Sequence, residues 1–103
     1  MDRKELIEKL KEFKKVIKKE YKVEKVILFG SRTTDKYKEY SDVDLIIVGK
    51  FKGKNSFKRV PPLYLMWEIQ LPVDFLCYTL KEFNELKKKR TIVREAVERG
   101  IEI

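Results

Sequence analysis

The chain contains no histidine and a single cysteine, Cys77, among its 103 residues. Without histidine there is no imidazole to act as a general base near neutral pH, and none to ligate zinc. One cysteine cannot form an internal disulfide, which suits a reducing cytosol. Cys77 lies in an apolar stretch, where a packed thiol is expected rather than a nucleophile. Glycine and proline are scarce, at 4 and 3 residues, and no repeat, linker or low-complexity segment divides the sequence. No apolar run approaches the roughly 20 residues of a membrane-spanning helix. The charged opening Met1-Asp2-Arg3-Lys4 does not read as a signal peptide, so a cytoplasmic protein without membrane association is expected.

What the sequence does have is charge. Charged residues make up 41% and the formal net charge is +8. Such a surface attracts polyanions through its long-range field: a nucleoside triphosphate, an acidic partner or nucleic acid. Lys14, Lys15, Lys18 and Lys19 are expected on the outer side of a first helix. Lys87-Lys88-Lys89-Arg90 has no interleaved aromatics, so dedicated nucleic-acid binding is not the expectation. The chain is long enough for one core, and residues 1–103 are read as one domain.

Helical and strand patterns alternate. Asp2 caps a helix on which Leu6, Leu10, Phe13, Ile17 and Tyr21 recur at helical spacing. Strands are expected over about 23–29, 43–48 and 73–77. Between the last two, Pro62 is placed to start a helix reaching Leu71. Its residues Leu63, Tyr64, Leu65, Met66, Trp67, Ile69 and Leu71 are apolar almost all round, more than a thin domain can cover. The excess reads as a partner or self-association surface. A last helix is expected from the Thr79 cap, with Phe83, Leu86, Val93 and Val97 inward, to Gly100, followed by a short tail. The segment Gly49-Lys50-Phe51-Lys52-Gly53-Lys54-Asn55-Ser56 imitates a phosphate-binding P-loop but fails in glycine spacing, and prolines follow it instead of a helix. It is left as a basic loop, with Lys54, Lys58 and Arg59 as weak substrate-facing candidates.

The chemistry concentrates in one motif: Val26-Ile27-Leu28-Phe29-Gly30-Ser31, ten residues, then Asp42-Val43-Asp44-Leu45-Ile46-Ile47-Val48. Side chains alternate along a strand, so Asp42 and Asp44 project from one face. Two such carboxylates repel unless a cation stands between them, which points to a hard metal ion. A Gly-Ser turn brings backbone N–H and a hydroxyl close to phosphate oxygens, and Arg32 beside it is placed to reach a triphosphate. Asp74 is the only charge in Val73-Asp74-Phe75-Leu76-Cys77 and is costly there unless paired or metal-bound. Each residue also has an ordinary reading: a loop start at Gly30-Ser31, a turn residue at Asp42, a surface arginine at Arg32, a wet sheet position at Asp74.

These residues resemble the signature of the DNA polymerase β-type nucleotidyltransferase superfamily and, by size, its minimal nucleotidyltransferase (MNT) proteins. The resemblance covers most of the chain, from Val23 to about Ile103. It implies an α/β fold: a mixed sheet of about three to four strands flanked by helices. It implies two Mg²⁺ ions held by Asp42, Asp44 and Asp74, with Asp74 also helping to activate an attacking hydroxyl. It implies that Gly30 and Ser31 bind the triphosphate of ATP. MNT proteins commonly act as antitoxins that bind a helical HEPN-type toxin and adenylylate it, so a hydroxyl of such a partner, a tyrosine above all, is the expected acceptor. Two readings compete: an idle binding module that neutralises a partner by complex formation, and a small basic nucleic-acid binder. The apolar 62–71 helix is the expected docking surface, for the partner or for a second copy.

Overall fold

A computed structural model describes residues 1–103. The first helix, α1 (Arg3–Tyr21), starts where the Asp2 side chain accepts the Glu5 N–H at 2.8 Å, and it buries Leu6, Leu10, Phe13 and Ile17. It stops at Lys22, whose left-handed backbone turns the chain into β1 (Lys25–Phe29). A one-turn 3-10 segment (Gly30–Thr33) and a loop lead to β2 (Val43–Val48). Two short helices follow, α2 (Ser56–Arg59) and α3 (Pro61–Met66), then β3 (Val73–Tyr78). The chain closes with α4 (Leu80–Leu86), α5 (Ile92–Arg99) and β4 (Ile101–Glu102).

The strands form one mixed sheet in the order β3-β2-β1-β4, with β2 and β3 parallel and the other pairs antiparallel. A parallel pair needs a crossover, and the segment carrying α2 and α3 supplies it. Helices cover both faces. Val26, Leu28, Leu45, Ile47, Phe75 and Cys77 pack with Leu6, Leu10, Phe13, Ile17 and Leu63 of α1 and α3. Ile27, Ile46 and Val48 pack with Phe83, Val93 and Ala96 of α4 and α5. This double cover explains why β2 reads as an unbroken apolar run after Asp44. The mixed four-stranded α/β sheet is the expected architecture.

Three elements differ from expectation. The helix expected over 62–71 starts at Pro61 and ends at Met66, because Trp67 leaves the helix in an extended conformation. Its indole N–H donates to Leu71 O at 2.9 Å, and its ring packs edge-on against Phe13 and Phe75. Trp67, Ile69 and Leu71 therefore support the core, and the exposed remainder shrinks to Leu65, 89% exposed, and the outer side of Tyr64, whose ring packs edge-on against Phe75. The expected single helix after Thr79 is two, α4 and α5. Thr91 breaks the run by giving its hydroxyl proton to Leu86 O at 2.8 Å and capping α5. Val97 consequently faces outward. The expected tail is the edge strand β4, paired with β1. Lys14, expected in solvent, reaches back to Ile103 O at 2.9 Å.

Candidate active site

Sheet register brings the key carboxylates together. Asp44 of β2 is paired directly with Asp74 of β3 and, on its other side, with Phe29 of β1. Register partners share a face. Alternation places Asp44 and Asp74 on the face of Ile46, Leu76 and Phe29, which α4 and α5 cover deeper in the sheet. Both sit at the N-terminal ends of parallel strands, where α5 no longer seals the sheet. Asp42 lies just before β2, exposed at the lip.

Burial pushes the Asp44 carboxyl above its ordinary range, and the negative charges of Asp74 and Asp42 push it in the same direction. No cation relieves this repulsion. The ion pairs of the chain join Arg3 to Asp35, Lys15 to Glu12, Lys25 to Glu102, Arg59 to Glu82 and Arg94 to Glu98, all away from these carboxylates.

Gly30 adjoins Asp44 because β1 ends opposite it. Its φ is +78°, a left-handed backbone that favours glycine, and a Cβ there would collide with the Asp44 carboxylate. The two halves of the motif are thus fitted to one another: the turn passes beneath the carboxylate only because position 30 lacks a side chain. Ser31 is exposed beside it. An open cleft of about 750 Å³ joins the two, with Gly30, Ser31, Thr33, Thr34 and Lys36 on one wall, Asp44, Asp74 and Leu76 on its floor, and α5 opposite.

A hard divalent cation fits this site by donor chemistry, since carboxylate oxygens are what such ions take. No three side chains among His, Cys, Asp and Glu stand at the mutual spacing of a coordination shell. Asp44 and Asp74 are the register partners, and Asp42 acts on Asp44 from the lip.

Arg32 does not take the position expected of it. It is buried, and its guanidinium donates to Ser41 O at 3.0 Å and Glu39 O at 3.0 Å, with Tyr37 stacked over it. The fork is engaged in fixing the loop that delivers Asp42, so Arg32 serves here as a structural clamp. Arg59 is likewise diverted. It is buried and bonded to Gly53 O, Cys77 O and Glu82, which ties the basic loop to the far end of β3. Burial raises the Cys77 thiol to about 12, so it is inert as a nucleophile.

Among the cleft residues that sequence reasoning missed are the charged Lys36, Glu95 and Arg99. Glu95 and Arg99 carry no local signal, because their segment reads as the end of one longer helix starting at Thr79, and Lys36 sits in a loop without a motif. Only the pairing of β4 with β1 carries α5 to the Gly30 turn.

The sequence model of the nucleotidyltransferase domain family matches residues 10–102. Two proteins of Methanocaldococcus jannaschii, each named "putative protein adenylyltransferase", are similar. One is 30% identical over 95 residues, covering 90% of this chain and 93% of its own. The other is 42% identical over 43 residues, a match spanning 42% of this chain and 44% of that relative. A crystal structure of a "putative nucleotidyltransferase" from Sulfolobus solfataricus shares the fold. Its TM-score is 0.65 at 22% identity, over 97% of this chain and 80% of the other.

Proposed function

We propose, since the chain belongs to the nucleotidyltransferase domain family, that it moves AMP from ATP to a hydroxyl of a partner protein in the cytoplasm. The observation that carries this reading is the register pairing of Asp44 with Asp74 beside the Gly30 turn. A carboxylate pair without a cationic partner and a phosphate-approachable turn share one cleft, and both are needed to handle a metal-bound triphosphate.

Asp42, Asp44 and Asp74 would hold two Mg²⁺ ions. When bound, these supply charge neutralisation at the triphosphate and make the acceptor hydroxyl easier to deprotonate. The chain's own residues do the rest. Gly30 lets the backbone approach the phosphates, and the Ser31 hydroxyl donates to a phosphate oxygen. The acceptor oxygen attacks the α-phosphorus, a new P–O bond forms, and the bond to the oxygen bridging to the β-phosphate breaks. Pyrophosphate leaves, and Asp74 receives the hydroxyl proton.

The names of the two archaeal relatives support a protein as acceptor. We take it to be a tyrosine of a HEPN-type toxin, with this chain as the antitoxin. The exposed Leu65 and Tyr64 on α3 would make the contact. The test mixes the purified partner, chain and Mg²⁺-ATP labelled at the α-phosphate, and follows the partner's mass. Addition of AMP that disappears on joint substitution of Asp42 and Asp44 is expected. An unmodified partner in an intact complex would instead favour a binding module.

A further inference from the structure

Arg32 is committed to loop carbonyls, which leaves a polyanion in the cleft without the cation the sequence offered it. The floor is acidic, through Asp44 and Asp74, and α5 adds Glu95. A nucleotide whose β- and γ-phosphates lay here would be repelled on every side unless basic side chains faced it. The cleft has two, Lys36 and Arg99.

Arg99 is placed by topology. In the antiparallel pairing of β4 with β1, Ile101 is opposite Leu28 and Glu102 opposite Ile27. Arg99, the last residue of α5 just before β4, thereby lines the same cleft as Gly30. Close packing holds it there: a Cβ on Gly100, the next residue, would stand 2.8 Å from Leu28 O and 2.8 Å from Ile27 Cγ2. The ion pair of α5 is Arg94 with Glu98 on the outer face, so Arg99 is exposed and unpaired. Lys36 is exposed on the facing wall, where the Thr34 hydroxyl accepts its backbone N–H at 3.2 Å.

We propose that Arg99, with Lys36 opposite, grips the β- and γ-phosphates of the nucleotide at the Gly30 turn. The grip selects triphosphates over monophosphates and steadies the departing pyrophosphate. It rests on the nucleotide-binding reading above and names the residues that confer it. A guanidinium suits the task because its planar fork meets two phosphate oxygens at once.

Calorimetric titration of the purified chain with Mg²⁺-ATP, Mg²⁺-AMP and inorganic tripolyphosphate tests this without needing the partner. Arg99→Gln should weaken ATP and tripolyphosphate roughly tenfold or more, the value of one charged hydrogen bond, and leave AMP unchanged. Arg99→Lys should recover part of the loss. Lys36→Gln, on the other wall, should repeat the pattern more weakly and serves if the α5 variant folds poorly. Arg94→Gln removes the same charge from the outer face and should change little, which separates contact from general field. Equal affinity of wild type and Arg99→Gln for ATP, or equal losses for ATP and AMP, would overturn the assignment and leave the nucleotide site standing. A wild-type chain that binds no Mg²⁺-ATP would overturn both.

Discussion

Replacing Asp44 with Asn should stabilise the metal-free protein while removing most of its response to metal. The Asp44 carboxyl titrates higher in the folded chain than its ordinary value of 3.8, through burial and the charges of Asp74 and Asp42. A carboxyl raised by folding gives its full stability below the unfolded value, and this is lost as pH rises through the folded one. At neutral pH, ionised Asp44 therefore opposes folding. Asp44 and Asp74 are direct cross-strand partners, and a like-charged pair in that position costs about 0.2–1 kcal/mol. For a domain of this size, 1 kcal/mol moves the melting temperature by roughly 4–8 °C. Asp44→Asn should thus melt a few degrees higher in EDTA at neutral pH, and the gain should vanish below about pH 3.8, where wild type is protonated too. Metal reverses the order. At a hundred times its dissociation constant, Mg²⁺ or Mn²⁺ adds about 2.7 kcal/mol to wild type, a rise of about 10 °C or more, which ATP should extend. Scanning fluorimetry in EDTA, with metal, and with metal plus ATP gives all three comparisons. An Asp44→Asn protein that melts below wild type in EDTA, or shows the full metal shift, would refute the reasoning.

Gly30→Ala should destabilise by about 1–3 kcal/mol and abolish the metal shift, since it strains a left-handed backbone and drives a Cβ into the Asp44 carboxylate; chemical denaturation and the same melting assay check both. Arg32→Lys keeps the charge but loses the fork that holds Ser41 and Glu39 carbonyls, so a loss of about 2–3 kcal/mol is expected. A variant of unchanged stability with weakened ATP binding would return Arg32 to the phosphates. Trp67→Ala should cost up to about 3 kcal/mol by breaking its packing on Phe13 and Phe75. Leu65→Ser, on the exposed side of α3, should stay within about 0.5 kcal/mol of wild type yet weaken the partner complex in a pull-down with that partner. Equal binding by Leu65→Ser would move the docking surface elsewhere.

Where one physical rule governed a segment, the sequence was readable. Apolar runs that open on an aspartate marked β2 and β3, and Asp74 stood out as the only charge of its strand; the structure leaves its side chain exposed on the edge strand, in register with Asp44. The Asp2 and Thr79 caps marked helix starts because their side chains accept the backbone N–H three residues on. Reading failed where tertiary contacts overrode local pattern. Trp67 continues an apolar run that looks helical, but a ring seated between Phe13 and Phe75 pulls the backbone out. Arg32 follows the Gly-Ser turn as a phosphate ligand would, but the carbonyls of a loop seven to nine residues later claim it. Arg99 was passed over because its neighbour at the cleft, Gly30, lies far off in sequence and meets it only through the pairing of β4 with β1.

The central claim is that Asp44, Asp74 and the Gly30 turn form one metal-nucleotide site. Crystals grown with Mn²⁺ and a non-hydrolysable ATP analogue test it directly through the anomalous signal of manganese. The account predicts manganese between the Asp44 and Asp74 carboxylates, Asp42 drawn in from the lip, and the triphosphate lying along Gly30 and Ser31. Manganese bound elsewhere, or a nucleotide seated away from that cleft with Asp44 and Asp74 unliganded, would contradict it.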